Sequence, residues 1–167
     1  FVGPVAPKAA ERVLSPQTTW LIRSMMADVI RFGTGRRALA LGRSDLAGKT
    51  GTTNDLRDTW FSGFGGGVVT TVWLGRDDNE TLGSWEQGGR TALPLWVDFM
   101  RVALEDRPEQ IMPPPVGLVQ SHIDPDTGQR VLPGTPGAVT EWFQAENLPP
   151  LSTRSSDEED VDPYDIF

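Results

Sequence analysis

Residues Leu46 to Thr53 read Leu-Ala-Gly-Lys-Thr-Gly-Thr-Thr, a run that begins like a strand and gathers one cation, three hydroxyls and two glycines. Lysine and threonine on an extended segment can aim a charge and hydroxyls at a bound anion. Gly48 and Gly51 leave the main chain bare, so a ligand can approach it closely. The combination suits an edge strand that grips an acylated substrate by its main chain and its carboxylate. Gly48-Lys49-Thr50 also looks like the end of a phosphate-binding loop, which requires Gly, four residues, then Gly-Lys-Ser/Thr. Spacing excludes that reading. The preceding glycine is Gly42, five residues lie between it and Gly48, and the position that should be glycine is Arg43. A phosphate loop also runs straight into a helix, whereas Gly51-Thr52-Thr53-Asn54-Asp55 is turn chemistry.

Other residues with chemical potential read as structural. His122 is the only histidine, and no Gly-x-Ser-x-Gly elbow accompanies it, so a strand-end structural role is expected. Asp77, Asp78 and Glu80 lack the alternating ligands and closing glutamate of a calcium loop and read as a surface loop. One histidine and no cysteine exclude a thiolate metal site and argue against zinc; no metal and no cofactor is expected. Arg36, Arg37 and Arg43 lie in a connector, residues 33–44, where a solvated loop is the simplest reading.

The chain has 167 residues, enough for one ordinary domain with a core, and carries a net charge of −8. Residues 155–167 hold six acids and no base, leaving −2 for the rest, so the body is close to neutral and no nucleic-acid surface is expected. No apolar run is long enough to span a bilayer, and there is no signal-peptide pattern. The first ten residues hold two prolines and no clean period, and read as a chain entering from elsewhere.

The elements that must position the lysine run follow from periodicity. A short strand is expected over Glu11–Leu14. Ser15-Pro16 then opens a helix to about Phe32, with Leu21, Met25, Val29 and Phe32 as its inward stripe, widened by Ile22, Met26 and Ile30, and Gly33 as its stop. Strands are expected over Leu46–Thr52, Asp58–Gly63 and Val68–Gly75, joined by short turns into an antiparallel meander. The third is apolar on both faces, which predicts a central or covered strand, with the lysine strand at or next to an edge. Thr91 is expected to cap a second helix, Ala92–Glu105, with Leu95, Phe99, Val102 and Ala103 inward and Trp96 and Met100 beside them. Helices covering one sheet give an α/β layer arrangement. A strand over Val116–Ile123 and a turn at Asp124–Gly128 follow. Residues 129–150 read as loop-rich, anchored onto the main body by Trp142 and Phe143.

Taken together, Leu46 to Phe64 (Leu-Ala-Gly-Lys-Thr-Gly-Thr-Thr-Asn-Asp-Leu-Arg-Asp-Thr-Trp-Phe-Ser-Gly-Phe) resembles the third-motif region of class A penicillin-binding proteins. Supporting matches are Ser15-Pro16-Gln17-Thr18, Gly33-Thr34-Gly35, Val72-Trp73-Leu74-Gly75 and Gly88-Gly89-Arg90-Thr91-Ala92. Further on, Ile123-Asp124-Pro125-Asp126-Thr127-Gly128 and Glu141-Trp142-Phe143 resemble the 1a type, so that the likeness covers about residues 11–150. It implies a transpeptidase fold shared with serine β-lactamases, a five-stranded antiparallel sheet between helices, of the α/β (α+β) class. It also implies peptidoglycan cross-linking through a serine acyl-enzyme on stem peptides ending in D-Ala-D-Ala, with β-lactam antibiotics as mimics, at the periplasmic face of the inner membrane. Under it, Lys49 supplies positive potential beside the nucleophile and the substrate carboxylate, and the Thr50 and Thr52 hydroxyls bind that carboxylate. The Thr52 N–H forms half of an oxyanion hole, Gly51 lets the substrate lie close, and Trp60 is support.

One departure limits what the chain does by itself. The family pattern also needs Ser-x-x-Lys and Ser-x-Asn, and none of the nine serines has either. The nucleophile, its lysine base, the glycosyltransferase domain and the membrane anchor are therefore expected on an upstream part of the same polypeptide, and the chain alone is expected to be inactive. The expected organisation is the C-terminal part of a transpeptidase domain over residues 1–112, an extension packed on it over 113–150, and an acidic, disordered tail over 151–167. Two alternatives stand beside it: a serine β-lactamase or D,D-carboxypeptidase relative, and a non-catalytic binding module of the same fold.

Overall fold

The computed structural model describes residues 11–152. Expectations for residues 1–10 and for most of the acidic tail lie outside that range. The chain divides into two compact units, Phe1–Pro114 and Pro115–Phe167.

The first unit opens with helix α1, Pro16–Arg31. The Ser15 hydroxyl accepts from the Thr18 N–H at 3.0 Å, and proline follows at the first helical position, so the start is set as serine-proline chemistry dictates. Phe32 ends the helix, its N–H reaching the Asp28 and Val29 carbonyls. A 3-10 turn, Arg36–Leu41, occupies the connector that reads as loop in the sequence, and its own Ala38 is fully buried. Strands β1 (Ala47–Thr52), β2 (Asp58–Gly65) and β3 (Val68–Gly75) then form an antiparallel sheet in the order β1-β2-β3. Helix α2, Ala92–Ala103, packs on it.

The core lies between α2 and one face of this sheet. Phe61 and Trp96 are both fully buried and meet edge to face, with ring centroids 5.0 Å apart. The Trp96 indole N–H donates to the Thr70 carbonyl at 3.1 Å, so its one polar atom is satisfied. Burying side chains of this size contributes about 2–3 kcal/mol each. Gly63 makes the contact possible, because a Cβ there would stand 2.9 Å from the Trp96 ring and 2.9 Å from the Phe61 ring.

Several expectations are corrected. Glu11–Leu14 forms no strand, and Val13 and Leu14 are exposed. β2, not β3, is the central strand. β3 alternates after all: Val68, Val72 and Leu74 pack against the core, while Val69 and Trp73 face outward. Its outward apolar residues imitate a strand buried on both faces. The α2 stripe is out of phase with the expected one. Ala92, Leu93, Trp96, Val97 and Met100 are buried, whereas Leu95, Phe99 and Val102 are exposed. The helix is apolar around most of its girth, so periodicity alone does not choose the face, and the Trp96–Phe61 contact does. In α1 only Ile30 is buried; Met25, Ile22 and Phe32 are exposed. Thr91 makes no side-chain cap; its hydroxyl donates to the Glu86 carboxylate instead.

The second unit is a hairpin of β4 (Leu118–Ile123) and β5 (Val139–Gln144), paired from Leu118↔Gln144 to Ile123↔Val139. β5 lies inside residues 129–150, which read as loop-rich, and its Trp142 and Phe143 stand opposite Gln120 and Val119. The turn at Asp124 is as expected: its carboxylate accepts from the Asp126 N–H and the Thr127 hydroxyl, and Gly128 closes it in a left-handed conformation. Leu151 bridges to Arg130, so pairing extends one residue past the expected tail boundary. The architecture is α+β with antiparallel sheets, as expected. The described residues hold three strands of a main sheet rather than five, and a separate hairpin.

Candidate functional site on the first strand

The base of β1 is fixed by a buried carboxylate. Asp45 is 3% exposed and accepts four hydrogen bonds: from Arg43 Nε and Nη2, both at 2.9 Å, from the Gly66 N–H at 2.8 Å and from the Gln110 N–H at 2.9 Å. Burial by itself pushes such a carboxyl up. The Arg43 guanidinium and the two backbone donors outweigh it and bring Asp45 down from 3.8 to about 2. One side chain thus ties the entry to β1, the β2–β3 turn and the segment after α2.

Above that anchor, side chains alternate. Gly48, Thr50 and Thr52 share the α2-covered face with Gly63, Phe61 and Thr59, while Ala47, Lys49 and Gly51 share the opposite face with Phe64, Ser62 and Trp60. The ladder phase follows from the bond between the Thr53 N–H and the Asp58 carbonyl, 3.0 Å. Alternation then leaves Thr50 and Thr52 as non-hydrogen-bonded pairs, with their N–H and C=O groups directed away from β2. No strand among the described residues pairs with that edge.

Lys49, Thr50 and Thr52 converge there. The Lys49 ammonium donates to the Thr50 carbonyl at 2.9 Å and to the Thr50 hydroxyl at 3.4 Å. The Thr50 hydroxyl lies 2.8 Å from that of Thr34, and the Thr52 hydroxyl accepts from the Gly88 N–H at 3.1 Å. Gly88 sits on bare backbone: a Cβ there would fall 2.4 Å from the Trp60 carbonyl oxygen and 2.6 Å from that of Gly51. The neighbouring loop is held in turn by Arg37, which donates to the Arg90 carbonyl at 3.3 Å. Trp60 stands across from Gly51 on the face opposite α2, half-exposed beside Trp73 with ring centroids 6.0 Å apart.

The sequence-selected residues Lys49, Thr50, Gly51, Thr52 and Trp60 are therefore brought together on β1 and its neighbour. Thr34 and Gly88 join them, and sequence reasoning gave neither a role. Their signal was present in Gly33-Thr34-Gly35 and in the Gly88-Gly89 doublet, since paired glycines mark close backbone approach. Other candidates lie elsewhere. The Ser62 hydroxyl pairs with that of Thr71 at 2.9 Å, and Ser44 hydrogen-bonds the Glu109 carboxylate. His122 is on β4, its Nδ1 3.3 Å from the Thr140 hydroxyl. Asp78 takes Arg76 in a two-pronged pair, which holds its carboxyl down at about 2. No group of three or more histidine, aspartate or glutamate side chains is placed to hold a metal ion among the described residues.

Comparison with known proteins decides the lineage. Penicillin-binding protein 1A of Pseudomonas aeruginosa is 54% identical over 144 residues, which is 86% of this chain and 18% of that protein. The chain belongs to the penicillin-binding protein 1A family. The family's protein from Neisseria lactamica is 49% identical over 118 residues, 71% of this chain and 15% of that protein. The crystal structure of penicillin-binding protein 1A from Haemophilus influenzae superposes with a TM-score of 0.76 at 40% identity, covering 84% of this chain and 22% of that one. The chain thus spans about a fifth of the length of the family members it matches. No protein-family model matches it.

Proposed function

We propose that this chain supplies the substrate-gripping strand of a peptidoglycan D,D-transpeptidase, with the serine nucleophile carried by an upstream part of the same polypeptide. The observation that supports it most directly is the open edge of β1. One ammonium (Lys49), two hydroxyls (Thr50, Thr52) and one outward N–H (Thr52) are gathered where a peptide can lie alongside as an added strand. In this reading Thr50 and Thr52 receive the terminal carboxylate of D-Ala-D-Ala. Gly51 lets the peptide lie close, and the Lys49 charge favours the anion and the approach of the nucleophile. The Thr52 N–H stabilises the oxyanion as the serine oxygen adds to the penultimate carbonyl. The bond to the terminal D-Ala then breaks, D-Ala leaves with a proton on its nitrogen, and an amine of a second stem peptide displaces the serine. Trp60 supports the strand from the face opposite α2. A β-lactam enters by the same carboxylate contacts and stops at the acyl-enzyme.

The upstream part would also carry the glycosyltransferase and the anchor that places the site on the periplasmic face of the inner membrane. No helix among the described residues is long and apolar enough to cross a membrane. The test is intact-mass analysis of a full-length protein carrying this chain after exposure to a penicillin. One adduct on a serine outside this sequence is expected, with labelling slowed at least a hundred-fold by Lys49→Ala. An adduct on one of this chain's own serines, or undiminished labelling of Lys49→Ala, refutes the proposal.

A further inference from the structure

We infer that Thr34 and Gly88 are positioning residues that fix the direction in which the Thr50 and Thr52 hydroxyls donate, and so make the edge of β1 selective for a carboxylate. The inference rests on the function proposed above and adds two residues to it. A hydroxyl has one proton to give and two lone pairs, and the hydrogen bond behind it decides where that proton points. The backbone N–H of Gly88 is a donor only. By donating to the Thr52 oxygen at 3.1 Å it leaves the Thr52 proton free for another acceptor. The Lys49 ammonium is likewise a donor only, and reaches the Thr50 oxygen at 3.4 Å.

Thr34 completes the second arrangement. Its hydroxyl lies 2.8 Å from that of Thr50, and either can donate. With Thr34 donating, the Thr50 oxygen accepts twice, from Lys49 and from Thr34, and its own proton has only an incoming acceptor to meet. Both threonines then present O–H groups outward together, an arrangement that matches a carboxylate with lone pairs on two oxygens and mismatches a neutral ester. The two braces come from different parts of the chain, the turn after α1 and the loop before α2. The Gly88 loop reaches Thr52 only because glycine stands there, a Cβ being 2.4 Å from the Trp60 carbonyl.

The test uses a full-length protein carrying this chain and two acylating probes, benzylpenicillin and its methyl ester. The readout is the ratio of their second-order acylation rates, which does not depend on the fraction of protein correctly folded. Thr34→Val keeps the side-chain shape and removes the hydroxyl. It is expected to lower the acid-to-ester ratio by about three- to ten-fold, the worth of one hydrogen bond, and Thr34→Ser should restore it. Gly88→Ala should lower the ratio as well, by moving the loop off Thr52. An unchanged ratio in Thr34→Val, or a loss that Thr34→Ser does not recover, overturns the inference. Thr50→Val separates the two levels. If it collapses the ratio while Thr34→Val does not, only the positioning role falls; if Thr50→Val also leaves the ratio intact, the carboxylate reading of β1 falls with it.

Discussion

Replacing Asp45 by asparagine should destabilise the chain in a way that depends on acid. The carboxylate is 3% exposed and receives two bonds from Arg43 and one each from the Gly66 and Gln110 N–H groups. Asparagine keeps one acceptor oxygen, turns an NH2 toward donors, and leaves the guanidinium, 13% exposed, without its counter-charge. Breaking a buried pair in this way costs about 3–5 kcal/mol. Arg43 retains the Arg107 and Pro108 carbonyls at 2.7 and 3.2 Å, which places the change near 3 kcal/mol. The pH dependence has a definite sign. Folding lowers this carboxyl from 3.8 to about 2, so between those values the unfolded chain holds more protons and stability falls as pH falls. The contribution is complete above about pH 4 and amounts to about 2 kcal/mol lost by about pH 2. Urea unfolding followed by tryptophan fluorescence at pH 7 and in steps down to pH 2 measures both quantities. Asp78 also titrates low, but it is common to both proteins and cancels in the difference. Wild type and Asp45→Asn losing stability in parallel below pH 4, or differing by less than about 1 kcal/mol at pH 7, would refute the reasoning.

Three further outcomes are expected. Trp96→Ala should cost about 3–5 kcal/mol, seen as a lowered urea midpoint with an unchanged slope, because it empties the contact with Phe61 and frees the Thr70 carbonyl. Trp60→Ala, on the half-exposed face, should cost no more than about 1.5 kcal/mol and leave penicillin labelling of the full-length protein within about three-fold of wild type; a larger loss of labelling would make Trp60 a contact rather than a support. His122→Gln should change stability by less than about 0.5 kcal/mol and labelling not at all, since its imidazole hydrogen-bonds the exposed Thr140 hydroxyl and its carbonyl bond to the Val131 N–H is kept.

Elements bounded by local chemistry were legible in the sequence. Ser15-Pro16 starts α1, and the β-branched run Val68–Gly75 is β3 from end to end. Lys49, Thr50, Gly51 and Thr52 mark the proposed site in the sequence because the proposal rests on their types and spacing. Features decided by tertiary contact were not legible. Which face of α2 is buried depends on Trp96 meeting Phe61, a partner 35 residues earlier in the chain. β5 carries Thr140 and Glu141 among its exposed residues and is a strand because β4 pairs with it. Thr34 and Gly88 become neighbours of β1 only once two loops fold back onto it, 16 and 36 residues away from their bonding partners.

The open edge of β1 carries a hazard as well as an opportunity. Unsatisfied N–H and C=O groups along a strand recruit any other strand, including that of a second copy of the chain. Lys49 lies across this edge, occupying the Thr50 carbonyl and placing a charge where another backbone would have to come. A cation that an added strand would have to bury is a poor neighbour for it and a good one for an anion, so under the proposed function the residue that draws the ligand in would also keep the protein from adhering to itself.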